Sequence, residues 1–135
     1  MVISTDAVHH DMDATIFGDA IGQVPRMDTR TFPADPHLVE LAVKANEKAN
    51  PQIHTFTGRV ASGDQFISSG EVKVRIVENF QALCTEMEGA GIAHAAYLNK
   101  VSYVSFEQFL IKLTTVQRWI IQSLKNRQLP TAWRL

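Results

Sequence analysis

Between Ala82 and Val104 the sequence changes pattern several times in quick succession. A short apolar run, Ala82-Leu-Cys-Thr85, meets two carboxylates around a methionine, Glu86-Met-Glu88. Gly89-Ala-Gly91 then opens a small-residue segment suited to a helix, and Val101-Ser-Tyr-Val104 reads as a second short strand. A strand, a tight glycine entry and a close-packed helix form a strand-to-helix unit. In an open α/β sheet, the carboxyl end of such a strand is where ligands bind. This stretch therefore favours an α/β fold and places two acids where chemistry would occur.

The rest of the chain alternates in the same way, which argues for helices flanking one sheet. Met1 to Ser4 reads as a buried strand, and Thr5 to Arg30 as a long irregular segment with strand pieces, the kind of segment that is often functional. Asp35 before Pro36 predicts a helix start, since the carboxylate can accept bonds from first-turn amides and proline fits the first helical position. Leu38, Leu41, Ala42 and Ala45 continue at helical spacing to about Lys48, and Asn50-Pro51 ends the run. Ile53 to Val60 is strand-like, 61–70 is a turn-rich loop bearing Phe66 and Ile67, and Glu71 to Phe80 is a short helix with Val72, Ile76 and Phe80 on one face. Ile92, Ala95 and Ala96 mark the expected packed face of the helix after Gly89. Ser105-Phe-Glu-Gln108 has the form of a capping box and predicts a long helix to Arg127 with a stripe of Phe106, Phe109, Leu110, Leu113, Val116, Ile120 and Leu124.

A length of 135 residues suits one domain. We expect it to span 1–128, with 129–135 a loose tail after Pro130. The formal net charge of -1 gives no reason to expect nucleic acid as a partner. No apolar run approaches the ~20 residues of a membrane span. Met1-Val-Ile-Ser-Thr-Asp lacks a basic region and a long apolar region, so it does not read as a signal peptide, and the expected location is the cytoplasm. The single Cys84 lies in an apolar run and reads as a buried structural thiol.

Several groups could carry chemistry. Glu86 and Glu88, two apart, would share a face if the strand continued through them. A carboxylate can accept two hydrogen bonds from the vicinal diol of a ribose; equally, either acid could simply complement a helix N-terminus. Phe66 could stack on a purine or fold back on the core. Phe17, with Ile16 and Pro25, could join a subunit interface or pack internally. His9-His10-Asp11-Met12-Asp13 offers metal-ligand types, but adjacent histidines diverge in an extended chain and the usual ligand spacing is missing, so no metal site is assigned. His94 reads as a structural histidine. There is no Gly-x-Gly-x-x-Gly, P-loop or Gly-x-Ser-x-Gly pattern, and no cofactor is expected.

Taken together, these segments resemble the 5'-methylthioadenosine/S-adenosylhomocysteine nucleosidases, within the purine nucleoside phosphorylase-like fold. The matching pieces are Val2-Ile3-Ser4-Thr5-Asp6-Ala7 with His10-Asp11, Asp13-Ala-Thr-Ile-Phe-Gly18, Gly22-Gln-Val-Pro25 and Phe32-Pro-Ala-Asp35. They continue with Ser62-Gly-Asp-Gln-Phe-Ile67, Glu86-Met-Glu-Gly-Ala-Gly-Ile-Ala-His94 and Ser105-Phe-Glu-Gln-Phe109. The resemblance implies a partial domain of that fold, a central mixed sheet flanked by helices. It implies hydrolysis of an adenine–ribose bond through an oxocarbenium-like state. Phe66 would stack on adenine and the Ile67 backbone would bond its edge. Met87 and Glu88 would hold the ribose, with Glu86 lining the site. Phe17 and Pro25 would reach into the partner's pocket in a homodimer.

The same resemblance marks departures. Matched to its relatives, the chain is expected to lack an N-terminal half that carries the water-activating glutamate. It also passes from Val104 directly to Ser105, where the family continues through a strand bearing the aspartate that protonates adenine. Neither acid nor base is assigned, and the chain alone is expected to release adenine at or near background. Alternatives from other classes are a non-catalytic remnant that binds nucleosides or dimerises, and a nucleoside phosphorylase of the same fold.

Overall fold

In a computed structural model, residues 1–108 and the backbone of 111–112 are described. Six strands among them form one mixed sheet in the order β2-β1-β3-β4-β6, with β5 on β1 beside β2. The strands are β1 (Val2–His9), β2 (Phe32–Pro33), β3 (Phe56–Ser62), β4 (Cys84–Glu86), β5 (Phe106–Glu107) and β6 (Ile111–Lys112). Three helices accompany them: α1 (Pro36–Ala49), α2 (Gly70–Phe80) and α3 (Gly89–Asn99). The α/β sheet flanked by helices agrees with the expectation.

The three central strands β1, β3 and β4 run parallel, whereas β2, β5 and β6 are antiparallel to their neighbours. Parallel strands need both faces covered. Successive β1 side chains enter two of the buried clusters. Val8 points with Ala61 toward α2, where Ile76, Val77 and Phe80 close a buried cluster. Ala7 packs with Phe32 against Ala90 and Ala93 of α3. Small residues on α3 let the helix approach the sheet closely, so its packed stripe is Gly89, Ala90 and Ala93. The expected Ile92 and Ala95 face is turned outward, with Ile92 exposed.

β1 runs further than the sequence suggests, to His9, because its whole length has partners. Its register with β3 shifts between Ser4 and Asp6, a bulge at Thr5 that lets the pairing continue to His9↔Ser62. Across these two strands Arg59 pairs with Asp6, Nε to Oδ1 at 2.7 Å, and its remaining nitrogen donates to the Phe80 carbonyl. β3 starts at Phe56 rather than Ile53, since the turn after α1 still holds Ile53 N–H to Asn50 O.

α1 begins as expected: the Asp35 carboxylate accepts from the His37 and Leu38 amides at 2.9 and 3.2 Å, and Pro36 follows. Its buried residues, however, are Ala42 and Asn46, while Leu41 and Ala45 face outward. Asn46 is satisfied by donating to Thr55 Oγ1 and accepting from Asn50.

Two expectations near the end of the chain are corrected. Val101–Val104 is not a strand; it folds over the start of α1, with Asp35 N–H bonded to Tyr103 O and Tyr103 Oη donating to Phe32 O. Nor does a capped helix begin at Ser105. The backbone there pairs with β1, Ser4 N–H to Ser105 O at 3.0 Å and Ser105 N–H to Ser4 Oγ at 2.9 Å, and Phe106–Glu107 continues as β5 opposite Ile3 and Val2. The free edge of β1 offers ladder bonds that outweigh the local capping signal. Ile111–Lys112 likewise pairs with Thr85 and Cys84. The remaining stripe positions Phe109, Leu110, Leu113, Val116, Ile120 and Leu124, and the 129–135 tail, lie outside the described residues.

Candidate nucleoside site

The parallel strands end together. His9 lies opposite Ser62, and Ser62 opposite Glu86, so β1, β3 and β4 deliver their carboxyl ends to one edge of the sheet. The chain leaves β3 through Gly63-Asp64-Gln65-Phe66-Ile67 and leaves β4 through Met87-Glu88 into α3. Gly63 N–H donates to the Glu86 carbonyl at 3.2 Å, tying the two exits to each other. Glycine is required at 63 because a Cβ there would lie 2.5 Å from the His10 ring and 2.8 Å from Asp11 Cγ. On the far side of that contact the Asp11 carboxylate accepts the Asp64 amide at 2.7 Å.

Between the two exits lies a cleft of about 190 Å³ lined by Gln65, Phe66, Ile67, Thr85, Glu86, Met87 and Glu88. All five residues expected to bind substrate, from the two separate motifs, thus line one opening. Their surroundings differ. Phe66 is 76% exposed and presents its ring at the mouth, whereas Ile67 is 4% exposed and belongs to the α2 core. Met87 is exposed, and so is Glu88, whose carboxylate makes no capping bond to α3.

The two acids do not share a strand face as equivalents. β4 ends at Glu86, and Glu88 is already the residue before α3. Glu86 turns back under the turn: one carboxylate oxygen accepts the Ser62 hydroxyl, and the other accepts the amides of Glu88 at 2.8 Å and Gly89 at 2.7 Å. Ser62 Oγ in turn accepts the Ala90 amide at 2.6 Å. The amide of Glu88 and the first two amides of α3, those of Gly89 and Ala90, are therefore satisfied by Glu86 and Ser62.

Phe17 and Pro25 do not line this cleft. Phe17 ends a short turn of 3₁₀ helix, Thr15–Phe17, and is 84% exposed beside an equally bare Ile16. Pro25 is also on the surface. Internal packing, the plainer alternative for both, does not hold.

The histidines diverge as expected. The His9 ring meets Phe32 and His94 edge-on, and His94 stacks on Phe32 at 4.6 Å between centroids. His10 lines a second, larger cavity of about 430 Å³ between the β1 exit and α2, with Asp11, Asp13, Arg75, Asn79 and Phe80. Burial lowers the pKa of both histidines. No cluster of three or more side chains able to hold a metal occurs among the described residues.

Sequence reasoning missed three members of the site region. Ser62 was visible only as part of a motif, and Thr85, which donates to Ala61 O at 2.8 Å, as an apolar strand position. Glu107, assigned to a helix, instead sits half-buried on β5; burial and the nearby charges of Glu86 and Glu88 push its pKa up to about 7.

The fold and the cleft together define a class: the chain belongs to the phosphorylase superfamily, whose sequence pattern matches residues 1–107. Within that class it is similar to nucleosidases. It is 46% identical over 105 residues to the 5'-methylthioadenosine/S-adenosylhomocysteine nucleosidase of Desulfotalea psychrophila, covering 77% of this chain and 44% of the relative. The enzyme of the same name from Treponema pallidum is 36% identical over 124 residues, covering 77% and 46%. The crystal structure of the Neisseria meningitidis nucleosidase in complex with methylthio-immucillin-A superposes with a TM-score of 0.71 at 36% identity, over 76% of this chain and 44% of that one. The chain thus spans less than half the length of these two curated relatives.

Proposed function

We propose that this chain forms the nucleoside-holding part of a nucleosidase that hydrolyses the N-glycosidic bond of methylthioadenosine or S-adenosylhomocysteine. The observation that carries this reading is the cleft in which Phe66, Ile67, Met87 and Glu88 converge from two strand exits. Phe66 gives adenine a face to stack on. The Ile67 backbone, anchored by its buried side chain, offers fixed polar groups to the purine edge. The Glu88 carboxylate accepts bonds from the ribose hydroxyls, and each such charge-assisted bond is worth roughly 1.5–3 kcal/mol. It also offsets positive charge developing on the sugar.

Hydrolysis rather than phosphorolysis is favoured by the start of α3. A helix N-terminus beside a ligand is a natural phosphate site. Here its first two amides, of Gly89 and Ala90, and the Glu88 amide before them are bonded to Glu86 and Ser62 and are not offered to an anion.

Within the cleft, no described side chain stands ready both to protonate a leaving purine and to activate water. Glu86 is committed to the Ser62 hydroxyl and the Glu88 and Gly89 amides, and Glu88 is assigned to the sugar. Loss of general acid-base help costs about 10²–10⁴ per group. This polypeptide alone therefore binds adenine nucleosides and releases adenine at or near background. Phe17 and Pro25 complete the alkylthio pocket of a second copy in a homodimer, and the setting is cytoplasmic.

The test is calorimetry of the purified chain with adenine and methylthioadenosine, beside chromatographic measurement of adenine release. Binding without release supports the reading. Robust turnover would overturn the inactivity of the chain, and absence of binding would remove the nucleoside reading itself.

A further inference from the structure

We propose that Ser62 and Glu86 are positioning residues that clamp the Met87–Glu88 turn for ribose recognition, and that Glu86 does not itself hold the sugar. This rests on the nucleoside-binding reading above and changes the part Glu86 plays in it.

The argument is an accounting of hydrogen bonds. A carboxylate has about four acceptor positions and no donor. Three of those on Glu86 are taken, by the Ser62 hydroxyl, Glu88 N–H and Gly89 N–H. Ser62 has one hydroxyl hydrogen, and it is directed at Glu86, while its oxygen accepts Ala90 N–H. Ser62 is 2% exposed, so neither of its bonds can be exchanged for water without opening the β3 exit. Gly89 fits against the carboxylate so closely that a Cβ there would lie 3.1 Å from Glu86 Oε1.

These bonds run from residue 86 to residues 88 and 89, bracketing Met87 and Glu88 in a side-chain turn of the kind acids make with amides two and three residues on. They hold the Glu88 backbone at φ -124° and ψ -33°, outside the helix, with its own carboxylate free of any capping bond. That is the requirement for a ribose ligand: a fixed main chain and an uncommitted carboxylate. The buried Ser62 links this turn to the loop that carries Phe66, so the sugar and base subsites share one brace. Residues that orient a ligand-binding group through hydrogen bonds commonly affect affinity by about 10–100-fold in metal sites, and the same logic applies here.

The test uses the full chain and the variants Ser62→Ala, Glu86→Ala and Glu86→Gln. Amide hydrogen exchange of Glu88, Gly89 and Ala90 is followed by NMR. Affinities for methylthioadenosine and for free adenine are measured by calorimetry. In Glu86→Ala and Ser62→Ala the bracketed amides should exchange faster and methylthioadenosine should bind about tenfold more weakly. Adenine, which has no ribose, should bind as in the parent. Glu86→Gln keeps a side-chain oxygen for the Glu88 and Gly89 amides and should hold affinity within about threefold of the parent. A Glu86→Gln chain that keeps its protected amides yet loses as much affinity as Glu86→Ala would show that the charge of Glu86 holds the sugar directly, and would overturn the proposal. Unchanged nucleoside affinity with exposed amides would reduce the clamp to a structural cap. If Ser62→Ala does not fold, the two Glu86 variants decide the matter. A parent chain that binds neither compound overturns the nucleoside reading and the positioning role with it, while protected amides would still report the clamp.

Discussion

Arg59 grips Asp6 through two parallel bonds, Nε to Oδ1 at 2.7 Å and Nη2 to Oδ2 at 2.8 Å, and so rivets β3 to β1 at the bulge. The third guanidinium nitrogen reaches the Phe80 carbonyl at 2.9 Å, at the end of α2. One side chain thereby joins two strands and a helix. Lysine cannot reproduce a planar fork. Arg59→Lys should lower stability by about 1–2 kcal/mol and Arg59→Ala by more, because the second leaves a part-buried Asp6 carboxylate unpaired. Urea denaturation checks this; a midpoint unchanged in both variants would contradict it.

Glu107 predicts a pH dependence of unusual sign. Its carboxyl is held protonated by burial and by Glu86 and Glu88, with a folded pKa raised from 4.5 to about 7. Between those values the folded state binds a proton that the unfolded state has released. Stability contributed by this group therefore falls as pH rises from the ordinary carboxyl range toward 7, and the penalty is complete above it. Glu107→Gln should flatten that decline and raise the melting temperature at pH 8 relative to the parent. Melting curves from pH 5 to 8 test it, and parallel slopes for both proteins would rule it out.

Cys84 should be inert in the folded protein. It is buried between Val2 and Val60, and burial pushes its thiol up to about 12. Reactivity belongs to the thiolate. An aromatic disulfide reagent at pH 8 should label it only after denaturant is added. Prompt labelling of the native chain would show that the sheet opens.

Asp35→Ala should cost about 1 kcal/mol, the usual effect of losing an N-cap. The same carboxylate also accepts the Ser102 hydroxyl at 2.6 Å, so the segment leading to β5 should loosen with it. Thermal melting combined with proteolysis near residue 102 would detect both effects; a variant as resistant as the parent argues that the cap is redundant.

Phe66→Ala should weaken adenine binding by about 1–3 kcal/mol with little change in stability, since the ring is exposed and its loss opens no cavity. Calorimetry and melting, run side by side, separate the two.

Much of this was readable from the chain because local signals and tertiary demands agreed. Asp35-Pro36 started a helix, Val72, Ile76 and Phe80 faced the core, and the motifs carrying Phe66 and Glu88 met in one cleft. Reading failed where a distant partner decided. Ser105-Phe-Glu-Gln108 has every local mark of a helix start, yet the edge of β1 takes its backbone. The α3 face was misjudged because alanine and glycine, rather than the larger Ile92, make the close approach to the sheet. Glu86 and Glu88 looked equivalent two residues apart; the end of β4 between them assigns one to the turn and leaves the other in the cleft.

Phe66 and Ile67 are neighbours in sequence and opposites in environment, one in solvent and the other sealed against α2. The ring at the mouth of the cleft is thus the outer arm of a lever whose inner arm is embedded among Ile76, Val77 and Phe80. Substitutions on the hidden side of α2, away from the cleft, would tilt the surface proposed to carry a base. Selection for a well-filled hydrophobic layer and selection for grip on a purine would then act on the same few side chains.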